Sequence, residues 1–215
     1  MRRTFLTAAL ALLMIGCGID SDPAGPEDLG LTPPEPELLP PEPAFATVAT
    51  NAWTTKAPMR TARSVLVAGV VNGVLYAVGG STDAGGAVAT VEAYSPGSNS
   101  WTTKASLPSA RNKANGAGVI NGVLYVAGGE NSGHTLTNTL YAYNPSTNTW
   151  ATKAPMLKVG GCGATGVIAG KLYVYNGCGS PDLSFQRYDP GTNSWKALAL
   201  PNWAHTFPAA GVTDG

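Results

Sequence analysis

The feature that constrains this chain most is a segment that occurs three times with the same order of residues. Its clearest copy begins with an apolar run at 119–127, continues with the glycine pair Gly128-Gly129, and later carries two tyrosines and a closing tryptophan. The tryptophans that close successive copies, counting an incomplete first one, lie 48, 49 and 45 residues apart: Trp53, Trp101, Trp150 and Trp195. A period of about 45–50 residues is typical of blades or solenoid units.

Within one unit the pattern predicts four short strands. In the first unit, the apolar run 65–71 is followed by Asn72-Gly73, a two-residue hairpin turn in which both positions need positive φ. Further strands are predicted at 74–78, at 88–94 and from Trp101 onward, with a turn at 95–97 before the last one. No stretch keeps an apolar period of about 3.6 residues, so the folded part is predicted to be all-β.

The glycine pair after a strand, the tyrosine that follows it and the closing tryptophan resemble the kelch motif, a four-stranded blade of a β-propeller. The resemblance covers residues 51–215 and implies three complete blades, at about 60–107, 108–156 and 157–200. In the third copy, Asn176-Gly177 replaces the glycine pair. Because asparagine tolerates left-handed backbone, we expect a similar bend there.

Both ends of the repeated region predict an incomplete ring within residues 48–215. Residues 53–59 repeat the fourth-strand text of later units, so we expect an N-terminal outer strand that completes a last blade. Residues 208–215 align with the inner strand of a fourth unit that starts at about 201. Since propellers typically have about four to eight blades, we expect either a fragment of a longer chain or a half-propeller completed by another subunit.

The first 17 residues are predicted to be a leader and not part of the fold. Arg2 and Arg3 precede an apolar run at 5–15, which is too short to span a bilayer. Residues 13–17 resemble the lipobox of a bacterial lipoprotein. The resemblance implies lipidation of Cys17, and Gly18 after it favours the outer membrane. The alternative is a plain secretory signal with an incidental cysteine. We therefore expect an exported chain anchored to the bacterial envelope by its N-terminal lipid.

Residues 18–47 are predicted to be a disordered tether. They hold eight of the 17 prolines and seven of the 13 acidic residues, with no Lys or Arg. Such a composition cannot bury a core. From residue 48 onward, eleven Lys or Arg stand against six Asp or Glu, so the domain is mildly basic. Its cations are too scattered to predict a nucleic-acid surface.

Cys162 and Cys178 flank the hairpin centred on Ala169-Gly170, and counting outward from that turn places them within one residue of register. In an oxidising compartment this predicts a cross-strand disulfide. Two free thiols or a metal pair are the alternatives. The chain has only two histidines, neither at ligand spacing, so we predict no metal and no cofactor.

Four residues fall in the links between one unit's outer strand and the next unit's inner strand. Arg63, Arg111 and His205 each lie ten residues after a tryptophan, and Lys158 lies eight after one. In a propeller these links lie near the central channel, so the four groups are predicted to form a cationic ring that attracts a carboxylate or phosphate. Alternatively, they hydrogen-bond neighbouring backbone between blades.

The same face is predicted to carry four polar residues in loops: Asp83, Glu130, His134 and Asp182. Variable loops on a rigid scaffold are common binding elements, although any one of these residues could simply be solvated. No nucleophile elbow, phosphate loop or spaced carboxylate pair is present, so we assign no catalytic residue.

The favoured interpretation is an envelope-tethered propeller that binds a protein or a glycan. The kelch resemblance also implies two enzyme classes. One is a sugar mutarotase or epimerase acting on an acidic sugar through the cationic ring. The other is a copper radical oxidase, which two dispersed histidines disfavour. A purely structural assembly protein is a third possibility.

Overall fold

The computed structural model describes residues 53–178 and 183–200, and this part of the chain is all-β, as predicted. It contains three four-stranded antiparallel sheets, called blades 1 to 3, each with its strands side by side in chain order. Blade 1 comprises β1 Val67–Val71, β2 Val74–Val78, β3 Val91–Ser95 and β4 Ser100–Thr103. Blade 2 comprises β5 Ala117–Ile120, β6 Val123–Ala127, β7 Leu140–Asn144 and β8 Thr149–Lys153. Blade 3 comprises β9 Ala164–Ile168, β10 Lys171–Asn176, β11 Ser184–Asp189 and β12 Ser194–Leu198.

The first two strands of each blade are joined by the tight turns that the sequence predicts. Val71 pairs with Val74 across Asn72 and Gly73, whose φ angles are 49° and 76°. This positive-φ pair matches the right-handed twist of the flanking strands. The innermost strands β1, β5 and β9 contact one another in that order, and the three blades do not close a ring within the described residues.

The hydrophobic core lies between the blades. One cluster joins blades 1 and 2 and includes Val78 and Leu124, both at most 2% exposed; a second joins blades 2 and 3. A tilted tyrosine pair recurs at both interfaces, with ring centroids 5.6 Å apart for Tyr76–Tyr143 and 5.8 Å apart for Tyr125–Tyr188. Burying a large apolar side chain contributes about 1.5–3 kcal/mol, so packing between blades is the main source of stability.

The glycine pairs let each link approach the preceding blade. A Cβ on Gly128 would collide with the carbonyl oxygen of Gly160. Gly129, with φ of 93°, donates its N–H to the same oxygen at 2.8 Å. Gly79 and Gly80 have the same relation to the carbonyl of Arg111. Any side chain here would separate the blades, which is why the motif requires glycine.

Blade 3 departs from this arrangement, and the expected bend at Asn176-Gly177 is wrong. Asn176 continues β10 opposite Ser184, and neither residue has positive φ. The Asn176 side chain is held instead, because it accepts from Asn115 Nδ2 at 2.8 Å and donates to the carbonyl of Val159 at 3.1 Å. Gly177 then donates its N–H to Gly161, in the link of its own unit.

A repeated clasp holds each link to the next blade. Asn148 Oδ1 accepts from the hydroxyl of Tyr143 at 2.7 Å and from the N–H of Ala105 at 2.9 Å. The indole of Trp150 donates to the carbonyl of Ala105 at 2.8 Å, so both backbone groups of one alanine are satisfied. The same contacts recur at the other two clasps: Asn99 and Trp101 on Ala57, and Asn193 and Trp195 on Ala154.

The first clasp holds the segment 53–59, which the sequence predicts as an outer strand. Ala57 is clasped as in the later units, but Trp53 is fully exposed and the segment is not paired into a sheet. A strand needs a neighbour, and the third strand that it would join is not among the described residues. The predicted leader, tether and C-terminal strand lie outside those residues, and none of the described ones form a helix long and apolar enough to cross a membrane.

Candidate functional site

One end of the blades gathers the links and the loops between second and third strands. We call this surface the loop face; it comprises the links 59–66, 104–116 and 154–163 and the loops 79–90 and 128–139. In each unit, an antiparallel bridge joins link and loop: Ser64 with Ser81, Asn112 with Glu130, and Gly161 with Cys178. These equivalent bridges allow the side chains of successive units to be compared position by position.

In blade 2, an ion-pair cluster ties the link to the loop. Glu130 accepts from Lys113 Nζ at 3.0 Å through one oxygen and contacts His134 Nδ1 at 2.8 Å through the other. The hydrogen bonds from Lys113 and then from His134 hold the pKa of the Glu130 carboxyl below its usual range. The Glu130 side chain is 12% exposed, whereas Lys113 and His134 are 40% and 74% exposed. The cluster therefore presents the Lys113 ammonium and the His134 imidazole to solvent.

The loop that carries His134 is folded around one asparagine. Asn131 Oδ1 accepts from the N–H groups of Gly133 and Thr135, at 2.9 and 3.1 Å, and its backbone carbonyl accepts from the N–H of His134. His134 has φ of 57°. This turn places the imidazole against Glu130, and its contacts are local enough to form without a ligand.

In blade 3, a disulfide bond occupies the same position. Cys162 follows the bridging residue of its link, as Lys113 does, and Cys178 is the bridging residue of its loop, as Glu130 is. The two cysteines are one residue out of register, with their Cα atoms 5.4 Å apart. Blades 2 and 3 thus join link to loop at the same point, once by charge and once covalently.

Blade 1 carries Val65 and Ser81 at this position, so it has neither cross-link. Instead, Ser81 Oγ accepts from Asn112 Nδ2 of the next link at 2.7 Å. The residues after the three bridges also form a chain, because Lys113 N donates to Val65 O at 3.1 Å and Cys162 N donates to Lys113 O at 2.7 Å. We call Val65, Lys113 and Cys162 the rim; their φ angles are 45°, 49° and 50°.

Within the described part of the chain, the predicted cationic ring is not assembled, and Arg63 shows why. Its guanidinium is 0% exposed and donates to Glu92 of β3 at 2.8 Å and to the carbonyl of Ala77 at 3.1 Å. The charge of Arg63 is therefore already neutralised inside blade 1. Arg63 does not face a ligand at the channel mouth.

Arg111 is buried in the equivalent place but has a different partner. In blade 2, Tyr141 stands where blade 1 has Glu92, and the Arg111 guanidinium lies 5.5 Å from the Tyr141 ring centroid. It donates to the carbonyl of Ala110 at 2.7 Å and to Ser109 Oγ at 3.0 Å. No carboxylate of the described part of the chain pairs with Arg111, which is 5% exposed.

The other predicted residues are spread over the loop face or lie beyond the described residues. Lys158 is exposed in the third link, and Asp83 is exposed in the loop of blade 1. His205 and Asp182 lie outside residues 53–178 and 183–200. Among the residues that the structure describes, no three His, Cys, Asp or Glu side chains come together in a way that could hold a metal ion.

Of the predicted residues, the structure brings together Glu130 and His134 and adds Lys113, which the sequence reasoning missed. A signal was available, because Lys113 and Glu130 are 17 residues apart and the two cysteines are 16 apart around the same hairpin. Aligning the units on their hairpin turns would have matched the two pairs.

Comparison with known proteins gives a consistent assignment of the repeat. The family model described as the Kelch motif matches residues 62–108 and 112–157. Alpha-scruin from Limulus polyphemus is 47% identical over 64 residues, which are 30% of this chain and 7% of that protein. F-box protein AFR from Arabidopsis thaliana is 40% identical over 72 residues, which are 33% of this chain and 19% of that protein.

Among solved structures, that of YjhT resembles this chain in fold. The TM-score is 0.62 at 22% sequence identity, over 71% of this chain and 57% of that one. At this identity the likeness concerns the fold alone. The chain spans less than two thirds of each of these three proteins.

Proposed function

Since this chain is a kelch-repeat protein with three blades of a β-propeller, we propose that it is a module that binds another protein through its loop face. The observation that carries the proposal is the construction of that face. Its backbone is cross-linked by the Cys162–Cys178 disulfide and the Lys113–Glu130 pair, while polar side chains such as His134 remain exposed. A rigid frame with exposed polar groups loses little conformational entropy when it binds.

The opposite end of the blades is built differently. It consists of tight two-residue turns such as Asn72-Gly73 and of the strand-three-to-four turns, where short hydroxyl pairs such as Ser98 and Ser100 bond to each other at 2.7 Å. This repetition from blade to blade offers little to distinguish one partner from another. The loop face, in contrast, differs in charge and cross-linking between units.

The burial of Arg63 and Arg111 weighs against an enzyme acting on an acidic sugar at a cationic ring. A glycan is a second class of ligand for the same face. Binding to a glycan array without capture of a protein would identify a glycan ligand. A structural assembly role predicts self-association without any external ligand.

We also propose that the module is exported and held at the bacterial envelope by a lipid on Cys17, with the acidic, proline-rich residues 18–47 setting how far from the membrane it can reach. The lipobox-like residues 13–17 support this proposal. Labelling cells with a radioactive fatty acid tests it: the wild-type chain is expected to incorporate label and the Cys17→Ser variant is not. Label retained by Cys17→Ser would contradict lipidation at this residue.

A site-specific photo-cross-linker tests the binding proposal. Placed at position 134 on the loop face of the full chain, it is expected to capture a protein from the envelope, and placed at Ser98 on the opposite end it is not. Capture must be lost when Lys113→Ala is added, which makes it specific to this surface. Capture from Ser98 alone would place binding on the other end, and glycan-array binding without protein capture would assign the face to a glycan.

A further inference from the structure

We propose that the Cys162–Cys178 disulfide is a redox-sensitive switch that controls the order of the neighbouring blade 2 loop, residues 128–139. The bond lies in unit 3, but the link that it holds also carries a hydrogen-bond acceptor for the blade 2 loop. Opening the bond should therefore loosen both units. Because that loop carries the exposed His134, the switch acts on the loop face, and its effect on partner binding rests on the function proposed above.

The third link lacks the buried arginine that anchors the first two. The residue before the link-to-loop bridge is Arg63 in unit 1 and Arg111 in unit 2, and each guanidinium is held inside its own blade. In unit 3 this residue is Gly160, and Asn176 occupies the space that a Cβ would need. Among residues 160–163, three glycines and one cysteine, only the cysteine has a side chain. The disulfide is therefore the one side-chain attachment that this segment makes to its blade.

This glycine-rich segment contacts both halves of the ion-pair cluster in blade 2. The carbonyl oxygen of Gly160 accepts from the N–H of Gly129, next to Glu130, at 2.8 Å. The N–H of Cys162 donates to the carbonyl of Lys113 at 2.7 Å. When the segment moves, the start of the blade 2 loop loses its acceptor, and the backbone of Lys113 loses a donor.

The link between blades 1 and 2 provides an internal comparison. Gly80 donates its N–H to the carbonyl of Arg111 at 2.8 Å, which is the equivalent of the bond from Gly129 to Gly160. Arg111 is 5% exposed and is fixed through its guanidinium, without a disulfide. The same backbone contact thus depends on a disulfide at the junction of blades 2 and 3 but not at the junction of blades 1 and 2.

A dithiol reductant can open the bond by thiol–disulfide exchange. Its thiolate attacks Sγ of Cys178, which is partly exposed, and Cys162 Sγ leaves as a thiolate and takes up a proton. The second thiol of the reductant then displaces Cys178, which also takes up a proton, and the reductant becomes a disulfide. Two electrons have then passed to the protein. Link and loop remain joined by backbone hydrogen bonds between Gly161 and residues 177–178, which open locally more easily than a covalent bond.

Hydrogen exchange of the full chain, oxidised and then reduced with dithiothreitol, tests the switch. We expect the backbone amides of 128–136 and 160–163 to exchange at least about tenfold faster after reduction, and those of 79–90 to stay within about twofold of the oxidised rate. The Cys162→Ser/Cys178→Ser variant should exchange like the reduced chain and should not respond to dithiothreitol.

A variant that carries the charged cross-link of blade 2, Cys162→Lys with Cys178→Glu, is the matched control. It should protect 128–136 as the oxidised chain does, with or without dithiothreitol. Faster exchange confined to 160–178 would overturn the inference, because it indicates a local staple. Equal acceleration in 79–90 would also overturn it, because it indicates loosening of the whole fold. Neither result contradicts the proposed function, which the cross-linking experiment decides.

Discussion

The ammonium group of Lys113 lies 3.0 Å from Oε2 of Glu130, and this ion pair joins the same two backbone positions that a disulfide joins in the next blade. The unit-to-unit equivalence means that one backbone geometry accepts either a charged or a covalent cross-link.

Replacing Lys113 and Glu130 together by cysteine is expected to produce a second disulfide, because their Cα atoms occupy the positions of Cys162 and Cys178. By the chain-entropy model, a loop of about 15 residues contributes about 3 kcal/mol. We expect about 1–2 kcal/mol here, since the hairpin is local already. Thiol titration in denaturant and urea unfolding check both points. Two free thiols after oxidation would show that the positions are not equivalent, and the single-cysteine variants are the controls.

The stability of the fold should depend on the ionisation of Glu130 in mildly acidic solution. Its carboxyl pKa is lowered from an ordinary value of 4.5 by Lys113 and His134. A lowered pKa adds stability above pH 4.5, and this contribution disappears as the pH falls through the folded-state value. Because the partners are exposed, we expect less than about 1 kcal/mol. We expect urea unfolding between pH 7 and pH 3, in steps of about one unit, to show that the Lys113→Met variant loses less folding stability over this range than the wild type.

Alkaline solution should destabilise the fold through the tyrosines of the core. Burial, and to a lesser degree Tyr76, raises the pKa of Tyr143 to about 12; burial and then Tyr125 and Asp189 raise that of Tyr188 to about 12. A phenol whose pKa is raised contributes stability below pH 10, the ordinary value, and loses it as the pH rises through 12. Phenolate absorbance should therefore appear together with unfolding, and Tyr143→Phe should weaken this dependence.

Removing the carboxylate of Glu92 should be costly, because Arg63 and Glu92 are 0% and 1% exposed. Glu92→Ala leaves a buried guanidinium without a counter-ion, for which about 3–5 kcal/mol of lost stability is expected. The Glu92→Tyr variant should lose less stability than Glu92→Ala, since Tyr141 contacts Arg111 at the equivalent position of blade 2. Chemical denaturation measures these differences.

The matched control for Glu92 removes both charges, as in Arg63→Met with Glu92→Leu. A buried ion pair is often replaceable by apolar residues at little cost, so the double variant should be more stable than Glu92→Ala. Equal losses in the two variants would mean that packing, and not the unpaired charge, sets the effect.

Local patterns were sufficient to predict the strands and the hairpin turns. The two-residue Asn72-Gly73 signal specifies positive φ at both positions, and the apolar residues before and after it predict β1 and β2. The all-β architecture and the kelch assignment follow from the same repeat. These features depend on residues close in sequence, where a single unit carries the full signal.

The partners of Arg63 and the course of Asn176 could not be predicted in this way. Arg63 meets Glu92 only because the link crosses the third strand of its own blade, 29 residues later. Asn176 has the propensity for a left-handed bend, but its side-chain oxygen accepts a hydrogen bond from Asn115, 61 residues earlier. Both outcomes were decided by contacts between segments that the local sequence does not specify.

The clasps all connect neighbouring units in the same order along the chain. Ala105, in the link after blade 1, is held by Asn148 and Trp150 of blade 2. Ala154, in the link after blade 2, is held by Asn193 and Trp195 of blade 3. The link that follows each of these blades is therefore held by hydrogen bonds from the next blade in the chain. A mutation of the asparagine or tryptophan of one clasp therefore releases the link after the preceding blade. Its destabilising effect is expected on the N-terminal side of the mutated blade.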